Sequence, residues 1–281
     1  SIANPNIKSI DDLFNSQENI INEFKLPLIV IPTTSGTGSE VTPFATIWDR
    51  KNNKKLSLFG SFIYPDIAFL DKNITLTLNY ENTLFPALDS VSHALESLWN
   101  INKTPISEIF AIKSLELIIN SLPILLRNLN SIEHRQMLQI ASLYSGISIS
   151  QTKTAIAHSI SYPLTSFFSI PHGLACSFTL PRIIEHFLNH NPNTKYFGIM
   201  RDIKKLIEAF ELDKLVANKG VYIVNDTTEA TKVIDGVFIL EDTVISTLKV
   251  GGVDALSSYV STPATAVKAG AYIRPLDGVK F

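Results

Sequence analysis

The order of apolar and polar residues indicates strands before residue 80. LPLIVIPTT (26–34) is a short, apolar run rich in branched residues, which is the pattern of a buried strand, and YPDIAFLD (64–71) predicts another short strand. Between them, IWDRKNNKKLSLF (47–59) places a polar, Asn-rich centre between apolar flanks and therefore predicts a β-hairpin.

From Tyr80 the spacing of apolar residues becomes helical. Helical periodicity is found in ENTLFPALDSVSHALESLW (81–99), SEIFAIKSLELIINSLPILLRNL (107–129), HRQMLQIASLYSGISIS (134–150) and PRIIEHFLNH (181–190). The region from 80 to about 212 is therefore predicted to be mostly helical. After residue 216, β-branched runs alternate with Asp, Asn and Gly, which predicts strands again.

The residue composition changes near residue 216. Residues 1–215 contain 3 valines and residues 216–281 contain 11, while all 6 histidines precede residue 216. We expect three segments: a partial α/β dinucleotide-binding domain (1–79), a helical metal-binding domain (80–215) and a β-rich module of different origin (216–281). The alternative is one protein with a β-rich end.

Composition and charge exclude several classes of protein. The 281 residues carry a formal net charge of −2, with 45% hydrophobic and 18% charged residues, so the chain can bury a large core and shows no nucleic-acid footprint. The single Cys176 excludes an intramolecular disulfide and fits the reducing cytoplasm. Polar residues or prolines interrupt each apolar run, so no membrane span is expected. The chain lacks a signal-peptide pattern and an initial Met, and we expect it to be trimmed, excised or part of something longer.

Four residues form a candidate metal site. Asp89 and His93 are four residues apart on a predicted helix and therefore share one face, while His158 and His172 lie among small and apolar residues. Three imidazoles and one carboxylate suit a divalent transition metal. The simpler interpretation is a helix with an acidic residue near its N-terminus and hydrogen-bonded core histidines.

A loop of small residues follows the first predicted strand. PTTSGTGSEVT (32–42) combines hydroxyls with glycines, which lets backbone approach a ligand closely and offers N–H and hydroxyl donors. The loop is neither a Walker A sequence nor a GxGxxG fingerprint, and an ordinary surface loop is the alternative.

These motifs together resemble the iron-containing (group III) alcohol dehydrogenases, and within them the phosphonoacetaldehyde reductase branch. The resemblance rests on PTTSGTGSEVT, YPDIAFLD, ALDSVSHALE, the His158 segment and SIPHGLA, in that order, and it covers residues 1 to about 212. It implies an α/β nucleotide-binding domain followed by an all-helical domain. The implied metal ligands are Asp89, His93, His158 and His172, and the implied contacts of NAD or NADP are Thr33, Thr34, Ser35, Gly36 and Lys55.

The implied activity is hydride transfer between NAD(P)H and a small aldehyde or primary alcohol, with phosphonoacetaldehyde as one candidate. Fe²⁺ is the favoured metal and Zn²⁺ the alternative, in a cytoplasmic homo-oligomer without nucleic-acid or membrane partners. Two of the chain's departures from the family bear on the site. The Gly-rich GGGS loop is absent, and Tyr162 stands where a further histidine is common, so we assign Tyr162 as a catalytic proton donor.

Two other functions stay open: an inactive fragment or fusion with a structural role, and a glycerol dehydrogenase-like polyol oxidoreductase.

Overall fold

The computed structural model describes residues 26–49, 54–219, 221–224 and 237–240. Prediction and structure agree on two pairs of strands in the first part. Strands β2 (Phe44–Asp49) and β3 (Lys54–Phe59) form the predicted antiparallel hairpin, in which Phe44 pairs with Phe59. Strands β1 (Ile29–Val30) and β4 (Ile67–Ala68) pair in parallel.

Strands β1 and β4 are short, and the segments that contain them are open. Ile29 and Ile31 are 55% and 50% exposed, so the prediction of a buried strand at 26–34 is wrong, and Phe69 next to β4 is 55% exposed as well. Within the described part of the chain, each of these strands pairs with a single neighbour, so their apolar side chains lack the cover that an interior strand receives on both sides.

The helical region begins at Tyr80, as predicted. Its helices are α1 (Tyr80–Trp99), α2 (Pro105–Arg127), α3 (Ile132–Thr152), α4 (Ile156–Phe168), α5 (His172–Ser177), α6 (Leu180–His190), α7 (Phe197–Glu208) and α8 (Leu212–Ala217). The start of α1 is fixed by Asn79, whose side-chain oxygen accepts a hydrogen bond from the backbone N–H of Asn82 at 2.8 Å. The start of α2 is fixed by a reciprocal capping box between Thr104 and Ser107.

Helix α1 is the centre of the core. It is in contact with α2, α3, α4 and α5, and Leu88, Val91 and Leu95 on it have no exposed surface. This burial explains why the middle of α1 carries small and apolar residues on nearly every side, and it places Asp89, His93 and Glu96 in a water-poor environment.

Helix α2 corrects the expectation that no segment could cross a membrane. Among the described residues it is the one helix that is long and apolar enough to do so by length and composition. Ala111, Leu115, Ile118 and Leu122 of α2 are nonetheless completely buried in the core, where α2 packs against α1 and α3.

The described chain continues past the predicted boundary at residue 216 without a break in structure at that point. Helix α8 ends at Ala217, and strands β5 (Val221–Val224) and β6 (Val237–Leu240) then pair in parallel, which confirms strands in this segment. The fold is the predicted one: a small α/β part, an all-helical part and a strand-containing end. The three domain boundaries stay predictions, and most of 216–281 lies outside the described residues.

Candidate metal centre

Three imidazoles surround one carboxylate oxygen in the middle of the helical region. The Oδ1 atom of Asp89 lies 3.5 Å from Nε2 of His93, 3.3 Å from Nε2 of His158 and 3.8 Å from Nε2 of His172. The structure therefore brings together all four side chains that the sequence offered as a metal site, from helices α1, α4 and α5.

Several of these atoms are buried and unpaired. Among the described residues, Asp89 Oδ1, His158 Nε2 and His93 Nδ1 are buried side-chain atoms without a hydrogen-bond partner. Leaving a buried polar atom unpaired costs about 1–3 kcal/mol, and more for a charged group. A cation bound between Asp89 Oδ1 and the imidazoles would satisfy two of these atoms at once.

The spacing of the donor atoms fits one divalent ion. Metal–nitrogen and metal–oxygen bonds of about 2.1 Å at tetrahedral angles place two ligand atoms about 3.4 Å apart. The observed separations of 3.3, 3.5 and 3.8 Å from Asp89 Oδ1 lie close to this value. The residues present therefore fit the metal that the sequence pattern implied.

A tight contact between helices α1 and α5 brings His172 to the site. A Cβ atom on Gly173 would lie 1.9 Å from the carbonyl oxygen of Phe85 and 3.4 Å from Cβ of Asp89. Only glycine permits this approach, so the residue after His172 determines how closely His172 can approach Asp89. The side chain of His172 is 34% exposed, against 4% for Asp89 and His158, so the cluster is open to solvent on the His172 side.

Glu96 is a functional candidate that sequence reasoning missed. Its carboxylate is completely buried and accepts hydrogen bonds from the backbone N–H groups of Ala155, Ala157 and His158 at 2.9, 2.6 and 3.3 Å. Its Oε2 also lies 2.7 Å from Nδ1 of His158. Glu96 follows Asp89 by seven residues, two helical turns along the same face of α1, and this spacing is the signal that could have found it.

Burial and neighbouring charges shift the pKa values of three groups of the cluster in different ways. Burial lowers the pKa of His93 to about 4, so this imidazole is neutral at ordinary pH. Burial alone would raise the pKa of Asp89, but the neighbouring charges of His93, His172 and His158 outweigh it and hold the pKa below its usual range. Burial opposes the charged form of His158, yet Cys176, Glu96 and Asp89 together raise its pKa well above the ordinary histidine value.

Cys176 is the second candidate that sequence reasoning missed. One ligand atom each from Asp89, His158, His172 and Cys176 all lie within 4.8 Å of one another. Cys176 follows His172 by four residues on α5, which is again the spacing of one helix face. The geometric set thus shares three members with the predicted set and has Cys176 where the sequence offered His93.

The predicted cofactor loop lies beside the same helix. Ser35 and Gly36 are buried, Thr34 is half-buried and Thr33 is exposed. The carbonyl oxygen of Gly36 accepts a hydrogen bond from Ser90 Oγ at 2.9 Å, and Ser90 is the residue next to Asp89. The loop is therefore attached to α1 next to the residue that bears the central carboxylate of the cluster.

Lys55 and Tyr162 are the two other residues that the sequence offered. Lys55 belongs to β3, where it pairs with Trp48, and its side chain lies outside the described residues. Tyr162 lies on α4 one turn after His158 and is half-buried. Their roles in cofactor binding and in catalysis stay predictions.

A small α/β part is followed by a helical part in which three histidines converge on one carboxylate, and this arrangement is typical of a class of dehydrogenases. The profile described as the Fe-containing alcohol dehydrogenase family, C-terminal, matches residues 83–233, and that described as iron-containing alcohol dehydrogenase matches residues 2–72. The chain belongs to the iron-containing alcohol dehydrogenase family. The match to residue 233 includes β5 and reaches into the predicted third segment.

Similar curated proteins are oxidoreductases by name. The chain is 36% identical to a phosphonoacetaldehyde reductase of Streptomyces viridochromogenes over 58% of this chain and 41% of that protein. It is 32% identical to a sulfoacetaldehyde reductase of Bilophila wadsworthia over 66% of this chain and 47% of that protein. The chain thus spans less than half the length of these relatives.

Solved structures of the family share the fold. An iron-containing alcohol dehydrogenase from Thermotoga maritima matches with a TM-score of 0.60 and 31% identity, covering 80% of this chain and 59% of that one. A sulfoacetaldehyde reductase from Bifidobacterium kashiwanohense in complex with NAD⁺ matches with a TM-score of 0.59 and 29% identity, covering 67% and 51%. Iron and a nicotinamide dinucleotide, the cofactors that the sequence implied, are those of this family.

Proposed function

We propose that this chain carries the metal centre of an oxidoreductase that transfers hydride between NAD(P)H and a small aldehyde or primary alcohol. The observation that carries the proposal is the convergence of His93, His158 and His172 on Asp89 Oδ1, with buried atoms left unpaired. Structural histidines in a core would pair these atoms with protein groups instead.

Each ligand has a distinct task in this proposal. Asp89 supplies a negative charge that holds a divalent cation, and the imidazoles, which are neutral when they ligate, add no further negative charge. When bound, the ion supplies Lewis-acid polarisation of a carbonyl oxygen and the reduced nicotinamide supplies the hydride. The partly exposed His172 marks the side from which a substrate reaches the site.

The cofactor side of the proposal rests on the loop at residues 32–42. Thr33 is exposed and Thr34 is half-buried in this loop, and the Ser90–Gly36 hydrogen bond connects the loop to the helix that bears Asp89. We expect Thr33 and Thr34 to contact the dinucleotide and Ser35 and Gly36 to shape the loop. Tyr162, one turn from His158, is the proposed proton donor to the developing alkoxide.

The substrate class follows from the relatives. The first two of them are named for phosphonoacetaldehyde and sulfoacetaldehyde, two-carbon aldehydes with an anionic group, and another is a 1-propanol dehydrogenase of Citrobacter freundii. We propose a short aldehyde as substrate, with phosphonoacetaldehyde as the first to test. The segments 1–79, 80–215 and 216–281 as separate domains, and a cytoplasmic homo-oligomer, belong to the same proposal.

The test is aldehyde-dependent oxidation of NADH or NADPH by the full chain after anaerobic loading with Fe²⁺ or Zn²⁺. The panel contains phosphonoacetaldehyde, sulfoacetaldehyde and propanal. We expect turnover with at least one of them, and its loss in Asp89→Asn with unchanged folding by circular dichroism. Equal turnover in Asp89→Asn would refute a metal-dependent reaction at this site. Metal binding without any turnover would favour a binding role alone.

A further inference from the structure

The single cysteine of the chain lies within the donor cluster rather than in ordinary apolar packing. Cys176 is completely buried, and its Sγ lies 3.6 Å from both ring nitrogens of His172. This Sγ atom and one donor atom each of Asp89 and His158 also lie within 4.8 Å of one another.

The distance from Cys176 Sγ to His172 Nε2 is that expected of two ligands on one ion. A metal–sulfur bond of about 2.3 Å and a metal–nitrogen bond of about 2.1 Å at a tetrahedral angle separate the two atoms by about 3.6 Å. The observed separation is 3.6 Å.

A thiol hydrogen bond to His172 accounts for less of what is observed. Such a bond would use the thiol proton on one nitrogen and leave Asp89 Oδ1 and His158 Nε2 buried and unpaired, as they are among the described residues. A cation between Asp89, His158, His172 and Cys176 satisfies all four groups. The unpaired atoms of Asp89 and His158 are thus independent evidence for a bound cation next to Cys176 Sγ.

We propose that Cys176 is a thiolate ligand of the ion held by Asp89, His158 and His172, with His93 as a fifth donor. On binding, the metal–sulfur bond forms with the thiolate, and the proton that the sulfur shares with the neighbouring imidazoles is released to solvent, without change in oxidation state. The proposal rests on the metal centre of the proposed function. A thiolate favours softer ions, so Cys176 shifts the preference of the site from Fe²⁺ towards Zn²⁺.

The experiment loads the full chain anaerobically with Co²⁺ and measures both bound cobalt and the thiolate-to-cobalt charge-transfer band in the near ultraviolet. Because Cys176 is the only cysteine, such a band has one source. We expect the band in the wild type and in His93→Ala, and its loss in Cys176→Ser with cobalt still bound. Bound cobalt without the band in the wild type overturns the role of Cys176 and leaves the metal centre intact. Absence of bound cobalt overturns both.

X-ray absorption at the zinc edge decides the question on the wild type alone, so it does not depend on a variant that folds. We expect one sulfur at about 2.3 Å together with nitrogen and oxygen at about 2.0–2.1 Å. Nitrogen and oxygen neighbours alone would contradict the proposal. In competition for the two ions, Cys176→Ser is expected to lower the ratio of bound Zn²⁺ to bound Fe²⁺, and an unchanged ratio would argue against a thiolate ligand.

Discussion

Glu96 Oε2 lies 2.7 Å from Nδ1 of His158, on the side of the ring opposite to the Nε2 atom that faces Asp89. A carboxylate at this position keeps the proton of neutral His158 on Nδ1 and turns the lone pair of Nε2 towards the cluster. The same carboxylate accepts hydrogen bonds from the backbone N–H groups at the start of α4. One side chain therefore fixes both the position of the helix that carries His158 and the orientation of the His158 ring.

The first prediction concerns Glu96→Gln. The amide retains the size of the side chain but loses the charge that orients His158, so metal affinity is expected to fall about 10–100-fold. Competition with a chelator of known affinity measures the change. Glu116→Gln on α2 is the matched control, because Glu116 is 46% exposed and pairs with Lys113 on the surface. Equal affinity of Glu96→Gln and the wild type would show that the carboxylate serves only the backbone of α4.

The second prediction concerns the contact of α5 with α1. Gly173→Ala places a Cβ atom 1.9 Å from the Phe85 carbonyl oxygen, so α5 must move away and carry His172 from Asp89. We expect a loss of about 1–3 kcal/mol in the free energy of unfolding, together with weaker metal binding. Urea unfolding and metal titration measure the two effects.

Gly198→Ala is the control for Gly173→Ala. A Cβ atom there has nothing within 4 Å, and Gly198 also lies in a helix, α7. Alanine is a better helix former than glycine by up to about 1 kcal/mol, so this variant is expected to be as stable as the wild type or slightly more stable. If the two variants unfold alike, the close approach of α5 and α1 is not what holds the site together.

The third prediction concerns the cofactor loop. Gly146 on α3 contacts Gly38, and a Cβ atom on Gly146 would lie 2.8 Å from Cα of Gly38 and 2.9 Å from Cγ2 of Val41. Gly146→Ala therefore displaces the loop that carries Thr33 and Thr34 while leaving the metal ligands in place. We expect weaker NADH binding by fluorescence titration with unchanged metal content. Loss of metal with intact NADH binding would reverse the assignment of the two sites.

The fourth prediction concerns pH. Neighbouring Cys176 and carboxylate charges outweigh burial and raise the pKa values of His158 and His172, so both imidazoles hold a proton that an incoming cation must displace. Metal affinity is therefore expected to rise with pH, by about tenfold per pH unit for each displaced proton, and to fall on acidification. His93, with a pKa of about 4, contributes no proton near neutrality. Calorimetry in buffers of different ionisation enthalpy counts the released protons, and a pH-independent affinity would contradict the account.

Sequence patterns predicted the parts of the fold that depend on local order. The helical period located α1 to within one residue of its start at Tyr80, and the polar centre of residues 47–59 located the hairpin of β2 and β3. The four-residue spacing of Asp89 and His93 predicted correctly that both side chains lie on one face of a helix. These features follow from neighbouring residues alone, which is why one sequence suffices for them.

The remainder depends on contacts between residues far apart in the chain. Glu96 meets the start of α4 about 60 positions later, and its buried carboxylate is unremarkable in the sequence until that contact is known. Cys176 joins the cluster only because Gly173 lets α5 approach Phe85 closely. The segment of β1 was predicted to be buried because an apolar run indicates hydrophobicity and not the number of neighbouring strands.

Metal content is the most direct test of the central claim that Asp89, His93, His158 and His172 build a metal centre. The measurement is metal per chain by elemental analysis after anaerobic purification, for the wild type, His158→Ala and His134→Ala. His134 is the control because its Nδ1 pairs with Ser131 Oγ at 2.7 Å on α3, outside the cluster. The account predicts about one ion per chain in the wild type and in His134→Ala, and its loss in His158→Ala. No metal in any of the three proteins, or equal metal in all of them, would contradict it.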